Sequence, residues 1–586
     1  MPSLLGDVMS LLTKRERWRL LLLFALALMN MVLEIASVGI VIPLVGLMGE
    51  SDQELNLPII GNWVADHSTS TVLSLVMIGV LFLFIAKNVV LLISSYVRNR
   101  ILTSMNARLT SELFARFVEQ PYSFHLRTNS AELIQATQNI TTLTSGTLVP
   151  ILTILSDVVI GIGIISLMVW SEPMGTLAVI IIFGTAGVWL VLSTRSMVTR
   201  WGFEARQAKS EVMRALTQGF GGIKEIKILG RTSTFVHEHR RHLHSALRPQ
   251  RLYSTFSGIP RSLFEVLAVL GVSVLVVILV GRGQPAGEIF PILALFTVGT
   301  FRILPSITRT VEMIHQIRFA SAIVDQTKDY MSLDTKDQPE VGDCIVSPFE
   351  SLELSDAFFA YEGDSAFQLG PLSMRIERGE YVGLVGESGA GKSTLVDLIA
   401  GLLHVSRGSV TVNDQDLVGR ERAWRQIIGY VPQSIYLTDE SIRRNVAFGI
   451  RDRDIDDSRV AHAIALAQLT EFVNQQPAGL ETQVGERGIR LSGGQRQRIG
   501  IARALYHRPE ILLLDEATAA LDMETERGVM DAVHTLRGSM TVIIIAHRLA
   551  TVERCDRLYH LEKGKLIRIG SYSDVVESLN LQASRS

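Results

Sequence analysis

Six stretches of the chain are apolar over lengths that a soluble helix does not need, near residues 19–48, 71–97, 147–170, 174–194, 255–281 and 287–307. Each is long enough to cross roughly 30 Å of hydrocarbon as a helix. The polar stretches between them alternate in charge. Residues 49–70 hold Glu50, Asp52, Glu54 and Asp66 and no Lys or Arg, whereas 98–146 hold Arg98, Arg100, Arg108, Arg116 and Arg127. The link at 171–173 has no basic residue, 195–253 has twelve, and 282–286 has only Arg282. Positive charge favours the cytoplasmic side, so this alternation places both termini and the two long loops in the cytoplasm. Within those loops, LTSELFARFVEQ and EVMRALTQGFGGIKEIKILG carry apolar residues at helical spacing. They predict membrane helices that continue into the cytosol and reverse in short turns. The first apolar run is far longer than a secretory leader's and lacks a small-residue cleavage site, so it is expected to be a retained membrane helix.

After Arg318 the pattern changes. DQTKDYMSLDTKDQPEVGD is polar and reads as a linker, and from about 345 short β-type runs (YVGLVG, IIGYVPQ, ILLLDEA, TVIIIAH) alternate with helical stretches. That alternation predicts an α/β domain with a largely parallel sheet. The expected fold is an α-helical polytopic membrane domain (1–330), a linker (331–344) and an α/β phosphate-loop ATPase domain (345–586). Composition agrees: 586 residues exceed one ordinary core, and a mean hydropathy of +0.29 suits a membrane protein. The net charge of −2 gives no field for nucleic acid. Cys344 and Cys555 are far apart and form neither a metal motif nor a disulfide framework.

The chemistry concentrates in the second half. Gly386-Glu387-Ser388-Gly389-Ala390-Gly391-Lys392-Ser393, followed by Thr394, lies between an apolar strand and a helical run, as a phosphate loop requires. Its glycines turn backbone N–H groups inward, Lys392 offers a point charge to the terminal phosphates, and Ser393 offers a hydroxyl to Mg²⁺. ILLLDE at 511–516 ends a buried strand in two carboxylates. Asp515 is placed to hold Mg²⁺ and Glu516 to accept a proton from attacking water. LSGGQ at 491–495 opens a helix and is a second anion site, although one phosphate loop already surrounds its nucleotide.

Together with Tyr361, Gln433, Asp522 and His547, these motifs fall in the order of an ATP-binding cassette protein, and the chain resembles a half-size exporter of that family. The resemblance implies that Tyr361 stacks on adenine, that Gln433 touches Mg²⁺ and water, and that His547 contacts the γ-phosphate. It also implies that Ser492, Gly493, Gly494 and Gln495, with Asp522 nearby, close over ATP held by another cassette. The partner is then most simply a second copy, with ATP and Mg²⁺ as cofactors; a different half-transporter is the alternative. VGERG at 484–488 resembles an exporter-specific loop, and turns near Tyr122–Arg127 and Gly221–Lys227 are expected to transmit movement. Ala519 departs from the family's usual serine.

Cargo is less legible. Ionisable residues in apolar helices are costly and often functional, and Lys87, Arg261, Arg302 and Arg309 are candidates to line a cavity for an anionic headgroup. The alternative is that they pair with Glu34, Asp157 or Glu265, or reach the interface. EIASVGIVIPLVGLM and GGIKEIKILGRTSTF resemble the branch that flips lipid-linked oligosaccharides. That resemblance implies an amphipathic polyprenyl-pyrophosphate cargo crossing a bacterial-type inner membrane. An exporter of drugs or other hydrophobic compounds, and a cassette-gated channel, are the competing readings.

Overall fold

The computed structural model describes residues 6, 9–10, 12–39, 69–171, 173–281, 286–333, 348–361, 367–516, 523–534, 538, 540–546 and 549–576, and of 38, 39, 69, 70, 72, 73, 76, 171, 286–292, 294, 295, 302, 523, 525, 532, 549 and 550 the backbone only. The chain divides into two compact units: residues 1–120 with 125–335, and residues 121–124 with 336–586.

The first unit is helical, and the first three residues of α3 count with the second: α1 (Lys14–Gly39), α2 (Thr69–Glu119), α3 (Tyr122–Arg127), α4 (Ser130–Leu143), α5 (Val149–Ser171), α6 (Pro173–Ser193), α7 (Arg195–Gly221), α8 (Ile223–Ile228), α9 (Thr232–Ser257), α10 (Ile259–Gly281) and α11 (Ala286–Met331). Five described helical stretches are long and apolar enough to cross a membrane. The sixth expected span, 287–307, falls within the 46-residue α11. Where the first span was expected to reach residue 48, the described part of α1 ends at Gly39. The helical extensions expected beyond the membrane spans are present: α2 runs unbroken for 51 residues, and α3 and α8 are short helices at the two expected turns.

Apolar side chains such as Met168, Phe183 and Phe264 fill the core between membrane helices, with the rings of Phe183 and Phe264 stacked at 5.8 Å. Polar links fix the helices laterally. Lys87 of α2 is ion-paired with Glu34 of α1, both buried. Arg309 of α11 grips Asp157 of α5 in a fork, at 2.8 and 3.0 Å. Thr194, at the break between α6 and α7, meets His315 Nε2 of α11 at 2.8 Å. At Gly202 a Cβ would stand 2.1 Å from the Phe319 carbonyl oxygen, so only glycine lets α7 lie this close to α11.

The second unit is built on two sheets. One has the order β2-β1-β4-β5, where β1 is Ser351–Ala360, β2 Gln368–Glu377, β4 Arg407–Val412 and β5 Gln415–Asp416. The other has the order β10-β9-β3-β8-β7-β6, where β3 is Tyr381–Val385, β6 Ile428–Val431, β7 Ile511–Asp515, β8 Thr541–Ile545, β9 Arg557–Glu562 and β10 Lys565–Gly570. Strands β9, β3, β8, β7 and β6 are parallel. Every residue of β3, β7 and β8 is buried, as expected for central parallel strands covered on both faces. β2 alternates buried and exposed along most of its length, so only one of its faces is covered. The loops that follow β3 and β7 leave the same carboxyl edge of the sheet, where ligands of such sheets are met.

Candidate nucleotide-binding site

The loop after β3 is shaped by two glycines. Gly386 has φ 150°, and a Cβ there would sit 2.1 Å from the Leu561 carbonyl oxygen of β9. Gly391 has φ 100° and caps helix Lys392–Ile399; both positions need the freedom of glycine. Ala390 is buried, Glu387 accepts the Ala390 N–H, and Ser388 and Gly389 face the pocket. The buried Lys392 ammonium donates to the carbonyls of Gly386 (2.7 Å) and Glu387 (2.9 Å). Burial lowers its pKa from the usual lysine range, while Glu516 and Asp515 oppose that shift. Its hydrogen bonds therefore lie within the loop itself, next to the space a phosphate would fill.

That space is a cavity of about 710 Å³ lined by Tyr361, Phe367, Ser388, Gly389, Gly391, Lys392, Ser393, Thr394, Gln433 and Glu516. Of the site residues expected from the sequence, it gathers Tyr361, Ser388, Gly389, Gly391, Lys392, Ser393, Thr394 and Gln433 with the candidate base Glu516. The Tyr361 hydroxyl lies 3.1 Å from Thr394 Oγ1. Gln433 Nε2 donates to Glu516 Oε2 at 2.6 Å, so the glutamine intended for the metal holds the carboxylate intended for the water. Glu516 has φ 50° and its N–H bonds Ile545 of the neighbouring strand. Asp515 is buried at the end of β7, and the Tyr430 hydroxyl points to it at 3.5 Å. The set Ser393, Gln433 and Asp515 offers a hydroxyl, an amide oxygen and a carboxylate, the hard oxygen donors Mg²⁺ takes.

Ser492 caps helix Gly493–Tyr506. Its Oγ accepts from Gln495 N at 3.1 Å, while Gln495 Oε1 accepts from Ser492 N at 2.9 Å. This reciprocal cap presets the helix start on which Gly493 and Gly494 sit. At the far end Arg503 donates to the carbonyls of Tyr436 (2.8 Å) and Asn445 (2.9 Å), tying the helix to the segment after Gln433. Asp522 and His547 lie outside the described residues, as does Ala519.

Two residues near the site carried no sequence signal. Phe367 follows no motif, yet its ring lies 6.0 Å from that of Tyr361 on the same pocket wall. Asp397, one helical turn beyond Ser393, is pushed up to about 6 by burial and by the charge of Asp515. Of the basic residues singled out in the membrane half, Arg261 and Arg309 both lie within electrostatic reach of Glu312. Lys87 and Arg309 are paired as described, and Arg261 bonds Glu265 one turn along α10 at 3.1 Å with its side chain 76% exposed. The Arg302 side chain lies outside the described residues.

Residues 369–519 match the family described as ABC transporter, and residues 12–303 match the ABC transporter transmembrane region. A Xanthomonas oryzae pv. oryzae protein named ATP-dependent lipid A-core flippase is 31% identical over 425 residues, covering 71% of this chain and 70% of its own. The chain belongs to the ABC transporter family. Proteins of the same name from Ralstonia nicotianae and Burkholderia orbicola are each 28% identical, over 83% and 90% of this chain and 82% and 88% of theirs. In structure, a bacterial Atm1-family ABC exporter with ATP bound superposes with a TM-score of 0.82, at 22% identity and 97% coverage of both chains. This ABC transporter is thus a multi-pass membrane protein, an exporter that binds and hydrolyses ATP.

Proposed function

We propose that this ABC transporter works as a pair of identical chains in a bacterial inner membrane, its cassettes in the cytoplasm, and moves an amphipathic anionic lipid between leaflets. The observation that carries the reading is the run of relatives named for lipid flipping, one of which aligns along 90% of the chain. The charge alternation of the loops supports the orientation. A polyprenyl-pyrophosphate-linked oligosaccharide is the cargo favoured within that class, on the stretches at 34–48 and 221–235.

In this reading Ser393, Gln433 and Asp515 would hold Mg²⁺, which would neutralise charge on the transferring phosphoryl group. Tyr361 and Phe367 sandwich or flank the adenine, the loop 386–391 cradles the phosphates, and Lys392 turns from its own loop carbonyls to the terminal phosphates. Glu516, held on one oxygen by Gln433, takes a proton from the attacking water. Ser492, Gly493 and Gly494 of each copy cover the other copy's ATP, which gives two equivalent sites on a two-fold axis. ATP favours the closed pair and hydrolysis releases it, a two-state element biased by ligand.

Proteoliposomes carrying a polyprenyl-pyrophosphate oligosaccharide in the bilayer test the cargo. The expected result is ATP-dependent movement between leaflets that Glu516→Gln abolishes. ATP hydrolysis with no movement of this lipid would remove it as cargo.

A further inference from the structure

Beside the phosphate loop lies a buried histidine that no motif accounts for. His560 of β9 is 3% exposed and stands in register with Val385 of β3, the residue before Gly386. Neighbouring strands lie about 4.8 Å apart, so the imidazole is carried one strand spacing from the backbone on which the loop begins. The two segments are closely fitted. The Leu561 carbonyl oxygen is the atom that a Cβ at Gly386 would strike. Past the end of β9, the Gly564 N–H donates to the Ala390 carbonyl at 3.0 Å, and the Gly564 carbonyl accepts from the Gly370 N–H at 2.7 Å. The β9–β10 hairpin thus braces the loop, and His560 belongs to the brace.

Its neighbours along the strand are satisfied: Leu558 and Leu561 are buried in apolar cores, and the Tyr559 hydroxyl donates to the Arg375 carbonyl at 2.6 Å. His560 Nδ1 is buried with no hydrogen-bond partner. Buried polar atoms are nearly always paired, and a valine would fill this strand position without leaving one unpaired. The charges that face the ring come from the loop and the hairpin. Burial holds its pKa below the ordinary histidine value, while Glu562, two residues along the same face of β9, and Glu387 of the loop oppose that shift. Arg568 stands opposite in register on β10, and the Lys392 ammonium donates to the carbonyls of Gly386 and Glu387. The ring is therefore neutral at pH 7 and poised to respond to negative charge brought to the loop.

We infer that His560 is a positioning residue for ATP, taking up one proton from the medium when the nucleotide's phosphates enter the loop and returning it when they leave. The inference rests on the phosphate-loop reading of residues 386–393. The imidazolium acts on the phosphates through the loop without touching them, so it sets nucleotide affinity and leaves the proton transfer at Glu516 alone. The proton is held more tightly with nucleotide bound. The gain in affinity is then present at low pH and lost as pH rises through the His560 pKa of the bound form.

The test uses the full chain in lipid nanodiscs, carrying Glu516→Gln so that ATP is not consumed and that carboxylate does not titrate. ATP dissociation constants are measured from pH 6 to pH 8 with His560 in place and with His560→Gln or His560→Val. In parallel, deuterium exchange at the carbon between the two nitrogens of the His560 ring, followed by mass spectrometry, gives the ring's titration midpoint. The expected result is a preference of the histidine chain for ATP, relative to either variant, that grows about fivefold from pH 8 to pH 6. The midpoint should rise by about one pH unit when ATP is added. A side chain that only fills the strand would give parallel pH curves and a midpoint that ATP does not move, and either result would overturn the inference. The midpoint is read with His560 present, so it decides the question even if a variant fails to fold. Lys392→Ala, with His560 kept, should lose affinity at every pH. Normal ATP binding in that chain would overturn the phosphate-loop reading and the inference with it. Lost binding there, together with an unmoved midpoint in its parent, would overturn the role of His560 alone.

Discussion

Glu516 and Asp397 are carboxylates of one site with opposite demands. Glu516 lies at the pocket with Gln433 on one oxygen and must be ionised to take a proton. Glu516→Gln keeps the size and the polar contact and removes the base. It should bind ATP normally and lose turnover by roughly 10²- to 10⁴-fold; single-turnover hydrolysis checks this, and an unchanged rate would reject Glu516 as the base. Asp397 has its pKa pushed up to about 6 by burial and by Asp515. Below the ordinary aspartate pKa both folded and unfolded chains keep that proton. As pH rises through 6 the folded state must give it up, and the stabilising bias is lost. Asp397→Asn should therefore raise the nucleotide-free melting temperature at pH 7.5, with a gap that narrows by pH 4.5. An equal gain at both pH values would show that the effect is not ionisation.

Elements differ in how far they could be read ahead. The central strands and the phosphate loop are local: five successive buried residues in YVGLV, then glycines that only tight backbone geometry requires, specify strand, turn and helix without distant contacts. The extensions of α2 and α7 were legible for the same reason, since helical periodicity is a short-range signal. What could not be read was pairing across helices. Nothing in LFLFIAKNVVLL says whether Lys87 faces cargo or Glu34, because helix rotation and neighbours are set by packing. The structure gives it a buried partner. Removing one member of a buried pair strands the other charge at a cost of about 3–5 kcal/mol. Lys87→Met alone should thus unfold the protein at markedly lower temperature, and Glu34→Leu added to it should recover most of the loss. Failure of the second change to rescue would mean that Lys87 acts through something other than Glu34. Phe367 illustrates the other blind spot: an aromatic residue outside any motif becomes part of the pocket only once β2 lies beside the loop.

At the scale of the whole molecule, the proposed pairing turns on the helix start at Ser492. Ser492 and Gln495 cap each other, which builds the start of helix Gly493–Tyr506 whether or not nucleotide is near, and the phosphate loop of the same chain is already complete. The central claim is that two copies finish each other's sites. It is tested most directly by the ATPase rate of a mixed pair, one chain carrying Lys392→Ala and the other Gly494→Asp, co-expressed with different tags and purified through both. Each homodimer lacks a working loop or a working signature at both sites and should be inactive. In the mixed pair one site joins two damaged parts and the other joins the intact loop of one chain to the intact signature of its partner. Recovery of up to about half the wild-type rate is the expected result. A mixed pair as inactive as its parents would contradict the claim, because it would mean that each chain's signature serves its own nucleotide.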